Sequence, residues 1–272
     1  MSENVTGDTA AAAPLLVERR QDGVAVLTFN VPDKRNAMSA ELTGAWADAV
    51  AALAGDRDVR AVVVTGAGPA FSAGGDLSWL AAGPDARVED LRAKMLPFYR
   101  TWLSIRRLEV PTIAAINGAA VGAGLAVALA CDLRYAVPAA RMSVPFAGLG
   151  LHAGMATTWL LPEVTGVAVA RELLFTGRVF TGEEAVGLGV VNRTFPAESF
   201  LDDVLQVAGQ IAAQAPVATR LTKVALVDGG PVSIEDALRW ESLAQPVTMA
   251  TEDLVEGLAA ARERRRPEFR GR

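Results

Sequence analysis

The 272-residue sequence predicts an α/β fold, with a β-rich core of alternating strands and helices followed by a helical C-terminal region. Three observations predict it. Short apolar runs such as AVVVT (61–65) and TIAAI (112–116) end on polar or glycine residues, as buried strands do. Longer stretches with helical spacing separate these runs. Beyond residue 197 only helical segments remain, divided by Pro216, Gly229-Gly230-Pro231 and Pro246.

Taken in order, residues 24–29 alternate in a β-rich pattern after the turn signal Gln21-Asp22-Gly23, which predicts a hairpin strand. A helix is predicted over 39–53, because Ser39 can cap it and Glu41 falls in its first turn. Strands at 61–65, 112–116 and 132–137 alternate with helices at 88–108 and 122–131. Four helices follow near 198–213, 216–228, 233–245 and 251–265. The division expected is a frayed tail over 1–14, a core over 15–195 and a helical region over 196–272. No internal repeat of fixed period accompanies this alternation.

With 51% hydrophobic and 21% charged residues, the chain can bury one large core. A net charge of −5 and the absence of a basic stripe with interleaved aromatics exclude nucleic acid as a partner. The one cysteine, Cys131, has no intrachain partner and an apolar context, which predicts core packing and a reducing, cytoplasmic compartment. The N-terminus lacks a basic start and a sustained apolar stretch, so neither a signal peptide nor a membrane span is predicted there. The apolar run 112–130 is interrupted by Asn117 and three glycines and leads into Asp132 and Arg134, so a buried strand, loop and helix explain it. No metal site is predicted.

Two loops carry the chemical signal. Thr65-Gly-Ala-Gly-Pro-Ala-Phe-Ser-Ala-Gly-Gly-Asp-Leu77 follows the 61–65 strand, and Asn117-Gly-Ala-Ala-Val-Gly-Ala-Gly124 follows the 112–116 strand and opens a helix. Small residues at such turns leave backbone N–H groups uncovered, and a helix N-terminus directs positive potential at a bound anion or oxyanion. Tight packing alone would also explain Gly122 and Gly124. A dinucleotide fingerprint fails because Val127 stands at the third glycine, and a Walker loop fails because no Lys-Ser/Thr pair follows.

The segment Pro111-Thr-Ile-Ala-Ala-Ile-Asn-Gly-Ala-Ala-Val-Gly-Ala-Gly-Leu-Ala-Val-Ala-Leu-Ala-Cys-Asp132 resembles the signature of the enoyl-CoA hydratase/isomerase (crotonase) family. Four further motifs resemble that family in the right order: Asp33 to Ser39, Phe71 to Leu77, the pair Leu174 to Gly177 with Ala185 to Asn192, and Arg264 to Gly271. The resemblance covers roughly residues 15–271. It implies a crotonase (ClpP/crotonase-like) spiral of ββα units with a helical C-terminal trimerisation region, assembled as a homotrimer or a dimer of trimers. It also implies an oxyanion hole from the N–H groups of Gly75 and Ala123, which would stabilise the enolate-like oxygen of an acyl-CoA thioester. Lys34, Arg35, Ala37, Ala73, Asp76, Leu77 and Gly122 would contact substrate, with coenzyme A entering as part of the substrate and no separate cofactor.

Hydration of a conjugated thioester needs an acid/base pair, and the resemblance places two glutamates at positions held here by Ala126 and Phe146. The aspartate of related isomerases would fall at Gly154. His152, the only histidine, is a candidate acid/base or substrate-binding group, with a structural histidine bonded to backbone as the alternative. Asp76 reads as a helix cap or a base, Thr157 and Thr158 as helix residues, and Glu163 as a surface residue. Trp79, Trp102 and Trp159 read as core or acyl-pocket residues. The C-terminal arginines (262, 264, 265, 266, 270 and 272) form a solvated face or reach CoA phosphates.

Two functions follow. One is an enzyme of enoyl-CoA hydratase/isomerase type with atypical proton transfer; the other is a non-catalytic acyl-CoA binder or sensor. A serine hydrolase is disfavoured, because no Gly-x-Ser-x-Gly elbow is present.

Overall fold

Strand β1 (Leu15–Arg19) pairs antiparallel with β2 (Val24–Phe29) across the predicted turn, where Asp22 Oδ1 accepts from the Val24 N–H at 3.2 Å. The structure is a computed structural model that describes residues 13–76, 86–227 and 233–272. All but two residues of the tail expected over 1–14 lie outside the described residues, as do Leu77 and Trp79.

From β2 onward the chain builds two sheets in alternation. Strands β3 (Ala61–Gly66), β5 (Thr112–Ile116), β7 (Leu133–Ala136) and β10 (Arg193–Thr194) extend the first sheet in parallel, giving the order β1-β2-β3-β5-β7-β10. Each of the first three is followed by a three-residue strand in the second sheet: β4 (Ala70–Ser72), β6 (Ala119–Val121) and β8 (Arg141–Ser143). That sheet has the order β4-β6-β8-β9, with β9 (Phe180–Thr181) antiparallel at its edge.

A helix follows within each turn. After α1 (Ala40–Ala54), the helices α2 (Val88–Trp102), α3 (Ala123–Ala130) and α4 (Thr157–Thr176) succeed β4, β6 and β8. The strand-strand-helix unit therefore repeats and makes the predicted spiral. Its repetition is one of geometry rather than of sequence period.

The helix α5 (Gly182–Gly187) precedes β10, and the C-terminal helices are α6 (Phe200–Ala212), α7 (Pro216–Leu226), α8 (Ile234–Met249) and α9 (Glu252–Glu263). Val204, Ala208 and Ala212, spaced by four, put one buried face of α6 against β2 and β3. Ser39 caps α1 as expected, accepting from the Leu42 N–H at 3.2 Å.

The structure departs from the sequence reading in three places. Both glycine-rich loops contain a strand, because three residues are too few to show alternation. The 88–108 helix ends at Trp102 and continues as a 3₁₀ turn over Leu103–Arg107. Helix α8 runs through Pro246 to Met249, since a proline in the last turn removes only one ladder bond.

An aromatic cluster locks the helices that frame the site. Trp46 of α1 stacks on Trp102 of α2 with ring centroids 5.2 Å apart, and Phe29 meets both rings. The Trp102 Nε1 donates to Thr43 Oγ1 at 3.1 Å, and the Trp46 Nε1 donates to the Thr101 carbonyl at 3.2 Å. Trp102 is thus core, as is Cys131, whose thiol burial pushes up to about 12.

At the start of β5, Asp132 accepts from the Thr112 N–H at 2.7 Å and pairs with Lys223 Nζ at 2.7 Å. Lys223, 7% exposed, also donates to the Val110 carbonyl at 2.8 Å, which ties α7 to the core. Among the described residues no helix is long and apolar enough to cross a membrane.

Candidate functional site

The site is made where β4, β6 and β8 end side by side. Because β4 and β6 are parallel neighbours, with Ala70 opposite Ala119 and Ser72 opposite Ala120, the segments that leave them must run together. The β6–β8 pairing continues past the strand, with the Gly122 N–H donating to the Ser143 carbonyl at 2.9 Å. Residues 73–75, 121–123 and part of 145–155 consequently border one small cavity of about 120 Å³.

Close backbone contact sets the first two segments. Gly74 has φ +91°, and a Cβ there would stand 2.5 Å from the Val121 carbonyl oxygen and 3.2 Å from the Ala123 nitrogen. Only glycine permits that approach. The first segment is held from its other side by the 33–39 turn, where the Met38 N–H donates to Gly74 O at 2.9 Å and the Ala73 N–H donates to Arg35 O at 2.8 Å.

Buried Asn36, itself in the left-handed region at φ +56°, accepts from the Val31 N–H at 2.9 Å. Its Nδ2 donates to the Ala67 and Ala70 carbonyls at 3.0 and 2.8 Å. The structure thereby brings together Lys34, Arg35, Ala37, Ala73, Gly75 and Gly122; Lys34 and Arg35 are exposed beside the turn. Asp76 is partly buried at the end of the segment, while Leu77 lies outside the described residues. Asn36 belonged to a quoted motif, but its role as a clamp follows only from its three partners.

Ala123 opens α3, so its N–H has no helical acceptor four residues back. Neither its N–H nor that of Gly75 has a hydrogen-bond partner among the described residues. Both residues border the cavity, and the N-terminal end of α3 faces it.

The opposite wall is built from side chains. Phe146 lies across from Gly122, with its ring Cζ 3.8 Å from where a Gly122 Cβ would stand. Leu149, Leu151 and Met155 add apolar surface, and Met95, Phe98 and Tyr99 enter from α2. Ala126 is wholly buried within α3 and does not border the cavity. Gly154 does border it, and the Tyr99 hydroxyl lies 2.6 Å from the place a Gly154 Cβ would take.

Tyr99 and His152 are therefore the two polar side chains lining the cavity among the described residues. Exposed His152 presents Nδ1 to the Ala153 carbonyl at 2.7 Å. A carbonyl only accepts, so in the neutral ring Nδ1 carries the proton and Nε2 is an acceptor. Burial raises the Tyr99 phenol above its ordinary value, which keeps it protonated at neutral pH. Tyr99 escaped the sequence reading; the signal for it was the stripe Met95, Phe98, Tyr99, Trp102 at helical spacing.

Other predicted residues lie apart. Trp159 is 70% exposed and Trp102 wholly buried, so neither shapes the cavity. Thr157 is a buried helix residue that donates to the Gly154 carbonyl at 2.6 Å, and Glu163 is exposed. Arg265 is engaged by Glu256 and Glu263, and Arg272 by Glu252, which commits both to the C-terminal tail. A larger cavity of about 630 Å³ surrounds the Asp132–Lys223 pair and includes none of the catalytic or substrate-binding candidates. Its charges serve the packing of α7, so the smaller cavity is the chemical candidate.

Known proteins resemble this chain along most of its length. The family model described as enoyl-CoA hydratase/isomerase matches residues 19–272. The Syntrophomonas wolfei protein named crotonyl-CoA hydratase is 32% identical over 255 residues, covering 93% of this chain and 97% of that protein. The Mus musculus mitochondrial protein named methylglutaconyl-CoA hydratase is 34% identical over 260 residues, covering 94% and 82% respectively. The crystal structure of enoyl-CoA hydratase from Bacillus anthracis superposes with a TM-score of 0.89 at 32% identity, covering 95% of this chain and 100% of that one. On its fold, its matched motifs and these relatives, the chain belongs to the enoyl-CoA hydratase/isomerase family.

Proposed function

We propose that this protein binds an acyl-CoA thioester and stabilises its enolate, acting as an enzyme of enoyl-CoA hydratase/isomerase type. The observation that carries the reading is the meeting of two uncommitted backbone donors, the N–H groups of Gly75 and Ala123, at one cavity. Donors fixed by backbone packing need no reorganisation as negative charge grows on the thioester oxygen, and each is worth ~10²- to 10³-fold in rate. Exposed Lys34 and Arg35 beside the same loop suit the CoA phosphates. The names of the relatives support the same substrate class. Coenzyme A enters as part of the substrate, and the reaction requires no further cofactor.

In hydration, water adds its oxygen to Cβ and a proton goes to Cα. No carboxylate lines the cavity among the described residues, because Ala126 is buried in its helix and Phe146 and Gly154 are apolar. His152, with Nε2 free to accept, is the candidate base. The same absence favours a second reading, a binder without turnover.

Calorimetry with crotonyl-CoA and an assay of its hydration separate the two. Binding with turnover that falls in His152→Ala supports the enzyme. Binding without turnover, unchanged in that variant, supports the binder, and no binding overturns both.

The C-terminal helices expose Ile234, Leu238, Leu243, Val247, Val255 and Leu258, an apolar surface suited to the homotrimer, or dimer of trimers, that we assign to the protein. Light scattering that returns a monomer would overturn that assignment. Buried Cys131 fits the cytoplasmic setting proposed with it.

A further inference from the structure

We propose that the Tyr99 hydroxyl determines acyl specificity: it donates a hydrogen bond to an oxygen on the acyl chain, so that the pocket prefers a hydroxyacyl- or oxoacyl-CoA over the unsubstituted chain. The inference rests on the acyl-CoA reading of the site.

Four observations support it. Tyr99 borders the same cavity as Gly75 and Ala123, and therefore faces whatever is attached to the thioester carbonyl held there. Its hydroxyl has no hydrogen-bond partner among the described residues, although it is packed against Gly154. Apart from His152, the side chains around it are apolar: Met95, Phe98, Phe146, Leu149, Leu151 and Met155 offer no oxygen or nitrogen. Its helix is anchored, because Trp102, one turn further along α2, is stacked on Trp46 and hydrogen-bonded to Thr43.

In the open cavity, water can satisfy the hydroxyl. A bound acyl chain displaces that water, and a chain with no oxygen leaves the phenol buried and unpaired. A chain bearing a hydroxyl or carbonyl restores the bond. The discrimination comes from the penalty on the wrong ligand as much as from attraction to the right one. Burial holds the phenol in its protonated form, so it serves as a donor rather than as a base.

The test uses the full-length protein and a matched pair of four-carbon ligands, 3-hydroxybutyryl-CoA and butyryl-CoA, titrated by calorimetry. The wild type is expected to bind the hydroxy ligand about 10-fold more tightly, and Tyr99→Phe to lose that difference while retaining its affinity for butyryl-CoA. Gly154→Ala, whose Cβ would displace the phenol, is expected to abolish the same preference by a second route. A general packing defect would weaken both ligands together, which the paired measurement excludes. Equal affinities in the wild type, or a preference that survives in Tyr99→Phe, would overturn this inference alone. Failure of the wild type to bind either ligand would overturn the acyl-CoA reading and this inference with it.

Discussion

The two walls of the cavity are made by different means. The wall at 73–75 and 121–123 is backbone, positioned by paired strands, by the clamp at Asn36 and by glycine at a place where a Cβ would strike a carbonyl. The facing wall is side chain: Phe146, Leu149, Leu151, His152 and the α2 residues Met95, Phe98 and Tyr99. Backbone donors tolerate a change of residue type, because the N–H is common to every residue but proline. Side-chain chemistry does not, and replacing a carboxylate by Phe146 removes proton transfer at that point. On the proposed function, recognition of the thioester and choice of reaction belong to separate parts of one cavity.

Four substitutions or conditions test that division. Trp102→Ala removes the wholly buried ring that anchors the helix carrying Tyr99, and the cavity left should cost about 3–5 kcal/mol in denaturant unfolding. Any folded fraction should still bind CoA through the backbone wall while losing preference among acyl groups. If CoA affinity vanishes along with that preference, the two walls are not separable.

Gly74→Ala attacks the other wall. It forces a side chain into a left-handed conformation against the Val121 carbonyl, and turnover of an enoyl-CoA should drop by ~10²- to 10³-fold. Steady-state kinetics alongside a thermal melt distinguishes this from unfolding. Phe146→Glu places a carboxylate in the side-chain wall, and hydration of crotonyl-CoA should rise by at least ~10-fold, a part of what a positioned acid/base group supplies. An unchanged rate would show that the missing carboxylate is not what limits hydration.

The smallest effect concerns pH. Tyr99 has its pKa raised by burial, so the protonated phenol persists through neutral pH and is lost only as pH rises past its ordinary value of about 10. Preference for 3-hydroxybutyryl-CoA should stay level up to that point and then decline. His152 is the other titratable group lining the cavity among the described residues. A preference that changes across neutral pH would overturn its assignment to Tyr99.

Much of the fold was legible along the chain because its strands are continuous apolar runs. TIAAI became β5 without a shift of boundary, and the Gln21-Asp22-Gly23 turn became the β1–β2 hairpin. Ser39 announced a helix start because capping is a local bond between near neighbours. The two glycine loops were legible for the same reason: small residues at a strand-to-helix turn have local meaning. The short strands β4 and β6 inside those loops were not, since three residues have no periodicity to read.

By itself, then, the sequence determined the α/β alternation, the helical C-terminal region, the two glycine turns and the want of carboxylates at positions 126, 146 and 154. Tertiary structure alone decided that the turns share one cavity, because parallel pairing of β4 with β6 joins residues about fifty apart in the chain. It alone also placed Tyr99 against Gly154, 55 residues away, and buried Trp102 while leaving Trp159 in solvent. Neighbours along the chain leave their mark in local pattern; neighbours across a cavity are chosen by how sheets and helices pack, which no local pattern records.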